Sequence, residues 1–312
     1  MKKLSLLLCI CAMALASFAQ LPDGSYAPAF TGYEIDKENG NYGSCINRGL
    51  KEARGKYIKV LDADDRFDTK EFGTYLEFLA TTDVDLALTD FDYVSEDGSV
   101  LKTHKYNIPA GKWSISELGD KIYDMWMHAV TYRTAIFEGL NYHQTEGISY
   151  TDQEWIFLPM SKVKSLCGYP HVVYKYLVGR EGQTVEPKVF ARNILQEIRS
   201  WETQQEEWEV SKESGRGDAE AYMWYRLKSR AISLETNMIL YFYSGYKECM
   251  LVEFDEYVRM HNGELYKEME NITRREGLRF RYIHYWRKLQ CRPLVWLVFK
   301  VESVVKRRLF KI

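Results

Sequence analysis

Hydrophobic residues between positions 44 and 94 recur with helical spacing in two stretches and form short apolar runs in two others. They fall three or four residues apart over 44–54 and 69–82, which predicts two helices with one buried face each. The runs 57–61 and 85–94 are mostly apolar, which is typical of buried strands. Helix, strand, helix and strand follow in order, and this order favours an α/β sheet.

The middle and the C-terminal part of the chain have different patterns. Residues 100–180 mix short segments, with strand-like runs at 128–133 and 171–178 and a helix start at 151–160. Residues 188–270 are polar, contain few Gly or Pro, and are helical in period. We therefore expect an α-helical C-terminal region after the sheet.

The N-terminus has the composition of a secretory signal. Two lysines precede an apolar run over 4–16, and the small residues Ser17 and Ala19 stand three and one positions before a cleavage point. This predicts a signal peptide over 1–19 and a Pro- and Gly-containing connector over 20–37. A buried first strand of a Rossmann-like sheet is the alternative interpretation of the apolar run.

The charge distribution limits the partners. The formal net charge is −2, which gives no general attraction for nucleic acid. From residue 279 to the end, ten Lys and Arg stand against one acidic residue, and the apolar run 293–299 precedes the basic end. This segment is too short and too charged to span a bilayer. It suits an amphipathic helix on an anionic membrane surface, with a core-packing helix as the alternative.

The cysteines bear on the compartment. None of the six forms a C-x-x-C pair, which excludes the common zinc pattern and gives no disulfide framework. Their use favours a reducing compartment for the folded part of the chain. The predicted signal peptide indicates export instead, so both localisations stay open at this point.

Three carboxylates, those of Asp62, Asp64 and Asp65, stand within four positions directly after the strand predicted over 57–61. Like charges this close repel each other, and a divalent cation among them offsets the repulsion. Mg²⁺ and Mn²⁺ prefer carboxylate oxygens, and ligand sites in open α/β sheets lie at the carboxyl ends of strands. The alternative is a loop or helix cap without a ligand.

The surrounding sequence resembles glycosyltransferase family 2. The resemblance rests on four motifs in a fixed order: Asn41-x-Gly43, Asn47-x-Gly49, Ala53-x-Gly55 and Asp62-x-Asp64-Asp65. It extends over 38–185 and implies a GT-A fold, a Rossmann-like mixed sheet with helices on both faces. An α-helical region over 186–312 would follow this partial glycosyltransferase domain.

The resemblance also implies roles for single residues. Asp64 would bind Mg²⁺ or Mn²⁺, which bridges the two phosphates of a nucleotide-sugar donor, and Asp65 would support that metal site. Asp62 would lie near the ribose or the donor sugar. Asn47 and Arg180 would help to bind the donor.

An inverting glycosyltransferase needs a general base for the acceptor hydroxyl. Asp152 matches the family position best, with Thr151 where the family often has Glu, and Glu154 is the second candidate. An N-cap is the alternative role for Asp152. His128 is an acceptor-site candidate or a structural histidine.

Further along, Gln183 and Thr184 accompany Arg180 as candidates to contact the diphosphate or the acceptor. A surface position is the alternative for this arginine.

The function implied by the resemblance is sugar transfer to a polysaccharide or lipid-linked acceptor, inverting and metal-dependent, at the cytoplasmic face of a membrane. The basic C-terminal helix would contact that membrane. The family opens with a strand, a helix and a second strand that hold the nucleotide, and 37 residues are too few for them. The alternative is therefore a catalytically degenerate GT-A-like binding protein that lacks half of the nucleotide site.

Overall fold

The structure of the protein is a computed structural model that describes residues 18–20, 26–28, 35, 37–179, 192–241, 248–270, 273–275 and 278–289. The chain divides into two compact units, 1–184 with 202–224 and 185–201 with 225–312. Three predicted features lie outside the described residues: most of the signal peptide, the candidates at 180, 183 and 184, and the apolar run 293–299.

Eight strands are described in the first unit, and most of them belong to one mixed sheet. They are β1 (Phe18–Gln20), β2 (Tyr26–Pro28), β3 (Tyr57–Ile58), β4 (Arg66–Phe67), β5 (Leu86–Val94), β6 (Val100–His104), β7 (Val130–Arg133) and β8 (Leu166–Leu177). Within the described part of the chain, six of them form one sheet in the order β3-β7-β5-β8-β4, with β6 paired to β5. Strands β1 and β2 pair only with each other, antiparallel.

The first four helices alternate with the strands of the sheet along the sequence, and the described chain after β8 is mainly helical. The helices are α1 (Asn41–Glu52), α2 (Thr69–Thr81), α3 (Ile115–Leu118), α4 (Asp152–Trp155), α5 (Ile194–Ser214), α6 (Glu220–Tyr241), α7 (Glu248–His261), α8 (Gly263–Glu268) and α9 (Tyr282–Leu289). The predicted helical C-terminal region is confirmed. No helix among the described residues has both the length and the apolar character needed to cross a membrane.

Strand β5 is the centre of the sheet, and its prediction over 85–94 is confirmed. It is buried along almost its whole length. Strand β8 runs parallel to it, and β7 and β6 pair with it antiparallel. Helix α2 covers part of β8, where Tyr75 and Leu79 join Cys167 and Val173 in one buried cluster. The site described below lies at the end of β8 that follows this cluster in the sequence.

Three local predictions need correction. Helix α1 begins at Asn41 rather than at Ser44, whose hydroxyl donates to the carbonyl of Asn41 inside the first turn. The run at 57–61 gives only a two-residue strand, because the chain then leaves the sheet to form the acidic turn at 62–65. The run at 128–133 becomes a strand only from Val130 onwards.

The described residues of the second unit are helical with one hairpin, β9 (Thr273–Arg275) paired to β10 (Leu278–Phe280). The indole of Trp201 donates to the carbonyl of Leu227 at 3.1 Å, and its ring meets Phe254 edge-on. The guanidinium of Arg287 contacts Asp255 at 2.5 Å in a buried ion pair.

Candidate active site

The acidic turn at 62–65 is held by the last residues of β8. The hydroxyl of Tyr174 donates to Asp65 Oδ2 at 2.6 Å and accepts from the backbone N–H of Asp62 at 3.1 Å. The N–H of Leu177 donates to the other oxygen of Asp65 at 2.7 Å. Asp65 therefore has both oxygens fixed, and the turn is tied to the sheet at its two ends.

The second support of the turn comes from helix α1. The hydroxyl of Tyr42 donates to Asp62 Oδ1 at 2.9 Å and lies 3.2 Å from the sulfur of Met127. Tyr42 is the middle residue of the Asn41-x-Gly43 motif. The motif thus places a phenol directly on the first carboxylate of the cluster.

The carboxylates are close enough to perturb one another. Burial raises the pKa of the Asp62 carboxyl to about 7. The negative charges of Asp65, Asp64 and Asp152 add to this rise, while the hydrogen bond from Tyr42 opposes it. A bound cation would lower the free energy of the ionised cluster.

The charge of Asp152 acts on the acidic turn. Asp152 is half-buried and begins α4, with Thr151 at the N-cap position, so the N-cap alternative for Asp152 is wrong. Gln153 Nε2 donates to Asp152 Oδ2 at 2.9 Å. The charge of Asp152 contributes to the raised pKa of both Asp62 and Tyr176. The predicted base is therefore close enough to the acidic turn for its charge to act there.

The segment that leads to Asp152 is attached to helix α1. Asn47 Oδ1 accepts from the N–H of Gln144 at 2.8 Å, and Asn47 Nδ2 donates to the Gln144 carbonyl and to Glu146 Oε1, each at 2.9 Å. A Cβ atom on Gly43 would lie 2.0 Å from the Thr145 carbonyl oxygen. The two Asn-x-Gly motifs thus allow close backbone packing, and the donor-binding role of Asn47 stays a prediction.

Two buried side chains continue this attachment into α4. Glu154 Oε2 accepts from the N–H of Thr145 at 2.7 Å, and Gln144 Nε2 donates to the carbonyl of Thr151. Glu154 is fully buried, whereas Asp152 is partly exposed. This difference favours Asp152 as the residue that can meet an acceptor.

Two buried side chains, those of Lys59 and His128, lie near the turn, and the sequence indicates only His128 as a candidate. Lys59 Nζ donates to the carbonyls of His128 and Val130, at 2.7 and 3.3 Å. Burial lowers the pKa of Lys59 to about 7. Burial and the charge of Lys59 lower the pKa of His128 to about 3. A lysine inside an apolar run reads as a surface residue, so sequence patterning gives no signal for its burial.

A divalent cation fits this set of groups. Asp62, Asp65 and His128 each offer a ligand atom, and these atoms all lie within 4.8 Å of one another. Asp64 is exposed and is not part of this grouping, so its role as a metal ligand stays a prediction. Arg180 lies outside the described residues, and its role also stays a prediction.

Comparison with known proteins agrees with the motifs. The model of glycosyl transferase family 2 matches residues 33–140. No curated protein sequence matches the chain.

Two solved structures are similar to the chain. S. aureus TarS 1–349 in complex with UDP-GlcNAc is similar with a TM-score of 0.54 and 16% sequence identity, over 88% of this chain and 74% of that one. A second structure of S. aureus TarS 1–349 gives 0.49 and 13%, over 85% and 70%. At 16% identity, the similarity to the complex with UDP-GlcNAc shows a shared fold and nothing more.

Proposed function

Because residues 33–140 form a glycosyl transferase family 2 domain with the GT-A fold, we propose that the chain transfers a sugar from a nucleotide-sugar donor to a glycan or lipid-linked acceptor. The observation that carries the proposal is an acidic turn held by hydrogen bonds, with one further carboxylate whose charge acts on it. The acidic turn at 62–65 is fixed by two tyrosines, and Asp152 is close enough to raise the pKa of Asp62. With a divalent cation bound, such a turn would provide a place for the diphosphate of a donor.

In the proposed reaction Asp152 is the general base. Its carboxylate takes the proton of the acceptor hydroxyl, and the acceptor oxygen forms a bond to the anomeric carbon of the donor sugar. The bond from that carbon to the phosphate oxygen breaks, and the nucleoside diphosphate leaves with the electron pair. Attack from the face opposite the leaving group inverts the anomeric configuration.

The acidic turn positions the donor in this proposal. Asp62 lies near the ribose or the donor sugar, while Tyr42 and Tyr174 hold the orientation of the carboxylates through their hydroxyl groups. A divalent cation bound by the acidic cluster would neutralise charge on the departing diphosphate.

We propose that the protein acts at the cytoplasmic face of a membrane, where its basic C-terminal segment contacts anionic lipid.

The test is turnover of a panel of UDP-, GDP- and dTDP-sugars by the full chain with Mn²⁺ or Mg²⁺. We expect nucleoside diphosphate release that Asp152→Asn lowers on the order of 100-fold or more, with unchanged donor binding. Asp120→Asn is the matched control, because Asp120 is exposed at another part of the first unit. Donor binding by calorimetry without turnover in the wild type would support a degenerate binding protein instead.

A further inference from the structure

The imidazole of His128 is buried and incompletely bonded. Its side chain is 5% exposed, and Nδ1 has no hydrogen-bond partner among the described residues. A buried polar atom without a partner costs about 1–3 kcal/mol, so such atoms in folded proteins require an explanation. Catalytic or metal-binding use is one of the common explanations.

Aromatic rings fix the orientation of this imidazole. The ring of Tyr176 stacks on it with centroids 4.1 Å apart and an interplanar angle of 25°. Phe91 meets it edge-on at 5.5 Å, and Tyr174 lies tilted at 5.0 Å. The ring is thus packed in place before any ligand arrives, which lowers the entropy cost of binding.

The distances suit one ion. The ligand atoms of His128, Asp62 and Asp65 lie within 4.8 Å of one another. Three evenly spaced ligands with bonds of about 2.1 Å to one cation are about 3.6 Å apart, so the three groups have to move together by about 1 Å to bind one ion.

Hydrogen bonds hold both carboxylates of the site. Asp65 accepts from the hydroxyl of Tyr174 on one oxygen and from the N–H of Leu177 on the other, and Asp62 Oδ1 accepts from Tyr42. A carboxylate has about four lone-pair sites, so these hydrogen bonds do not exclude a metal. The tyrosine hydroxyls then orient the ligands from outside, as groups around protein metal sites commonly do.

We propose that His128 is a direct ligand of the divalent cation, together with Asp62 and Asp65, and that the site prefers a transition-metal ion such as Mn²⁺ over Mg²⁺. An imidazole ligand favours first-row transition ions, whereas Mg²⁺ takes oxygen ligands. The proposal rests on the proposed function only for the use to which the ion is put.

The test is pulsed electron paramagnetic resonance of the full chain with Mn²⁺ and saturating UDP, together with Mn²⁺ and Mg²⁺ titrations. We expect coupling of the Mn²⁺ electron spin to a directly bound nitrogen. His128→Phe keeps a ring against Tyr176 and should abolish this coupling, weaken Mn²⁺ binding on the order of 10–100-fold, and change Mg²⁺ binding less. His171→Gln is the control, because His171 is an exposed histidine on the same strand as Tyr176.

Thermal unfolding shows whether His128→Phe folds. Nitrogen coupling that persists in the folded variant assigns the nitrogen to another residue and overturns the inference. Mn²⁺ binding without nitrogen coupling, or no Mn²⁺ binding at all, overturns the inference. Nitrogen coupling without sugar turnover from any donor contradicts the proposed function and leaves the metal site standing. Sugar turnover without nitrogen coupling contradicts the proposed metal ligand and leaves the proposed function standing.

Discussion

The hydroxyl of Tyr174 lies 2.6 Å from Asp65 Oδ2 and also accepts the backbone N–H of Asp62. One phenol on β8 therefore holds the first and the last residue of the acidic turn. Burial and the charges of Asp62 and Asp65 raise the pKa of Tyr174 well above its ordinary value, so the hydroxyl keeps its proton and donates it.

Tyr174→Phe should loosen the turn without removing the ring. We expect the free energy of unfolding to fall by about 1–2 kcal/mol, because the Asp62 N–H and one Asp65 oxygen lose their partner. Mn²⁺ affinity should fall about tenfold, since the ligand is no longer oriented. Urea denaturation and metal titration measure the two effects.

Tyr169→Phe is the matched control for this change. Tyr169 is also on β8, and its hydroxyl donates to Glu71 Oε1 at 2.6 Å, at the other end of the strand. It should lose a similar amount of stability and keep its metal affinity. Equal metal affinities for Tyr174→Phe and the wild type would contradict the orienting role.

Gly43→Ala should be strongly destabilising. The added Cβ would lie 2.0 Å from the carbonyl oxygen of Thr145, which is backbone and cannot rotate away. We expect a loss of about 2–4 kcal/mol and lower turnover, because the segment leading to Asp152 must shift. Thermal denaturation with a donor turnover assay measures both.

Gly73→Ala makes the same chemical change in helix α2, where nothing lies within 4 Å of the added atom. It should stabilise the protein by about 0.5–1 kcal/mol, since alanine loses less backbone entropy in a helix. A stable, active Gly43→Ala protein would show that the close packing of α1 on 144–146 is not required.

The sequence predicts the elements near the site better than the site itself, because the contacts of the site join residues that are far apart in the sequence. Strand β5 and helix α2 follow from local hydrophobic period, and the Asn-x-Gly motifs follow from local residue order. The partners of the acidic turn come from far away: Tyr174 is 112 residues from Asp62, and Met127 is 85 from Tyr42.

Burial is the second reason. A histidine among apolar residues reads equally as packed core or as a ligand, and only the arrangement of Tyr176 and the two carboxylates distinguishes these cases for His128. Asn47 shows the converse, because a motif residue expected at the donor has its amide bonded to the segment 144–146. Residue order alone does not tell a ligand contact from a backbone contact.

Glu154 and Asp152 should behave differently although both were base candidates. Glu154→Ala removes the acceptor of the Thr145 N–H and leaves a cavity in a fully buried place, so we expect a loss of about 2–4 kcal/mol in unfolding free energy. Asp152→Asn should leave stability within about 0.5 kcal/mol of the wild type and remove turnover. The reverse result, with Glu154→Ala stable and inactive, would make Glu154 the base.

Lys59 predicts a pH dependence of stability. Burial lowers its pKa to about 7 in the folded protein, whereas an unfolded chain has a lysine pKa of about 10.4. Between these values the unfolded chain binds more protons, so the free energy of unfolding rises with pH, by at most about 1.4 kcal/mol per unit. This contribution is fully present above about pH 10.4 and is lost as pH falls towards 7. The Lys59→Met variant lacks this pH-dependent contribution. The difference in the free energy of unfolding between wild type and variant, measured by urea denaturation, should therefore change between pH 7 and pH 10. Parallel curves over that range would mean that Lys59 is charged in the folded protein, with the carbonyls of His128 and Val130 compensating its burial.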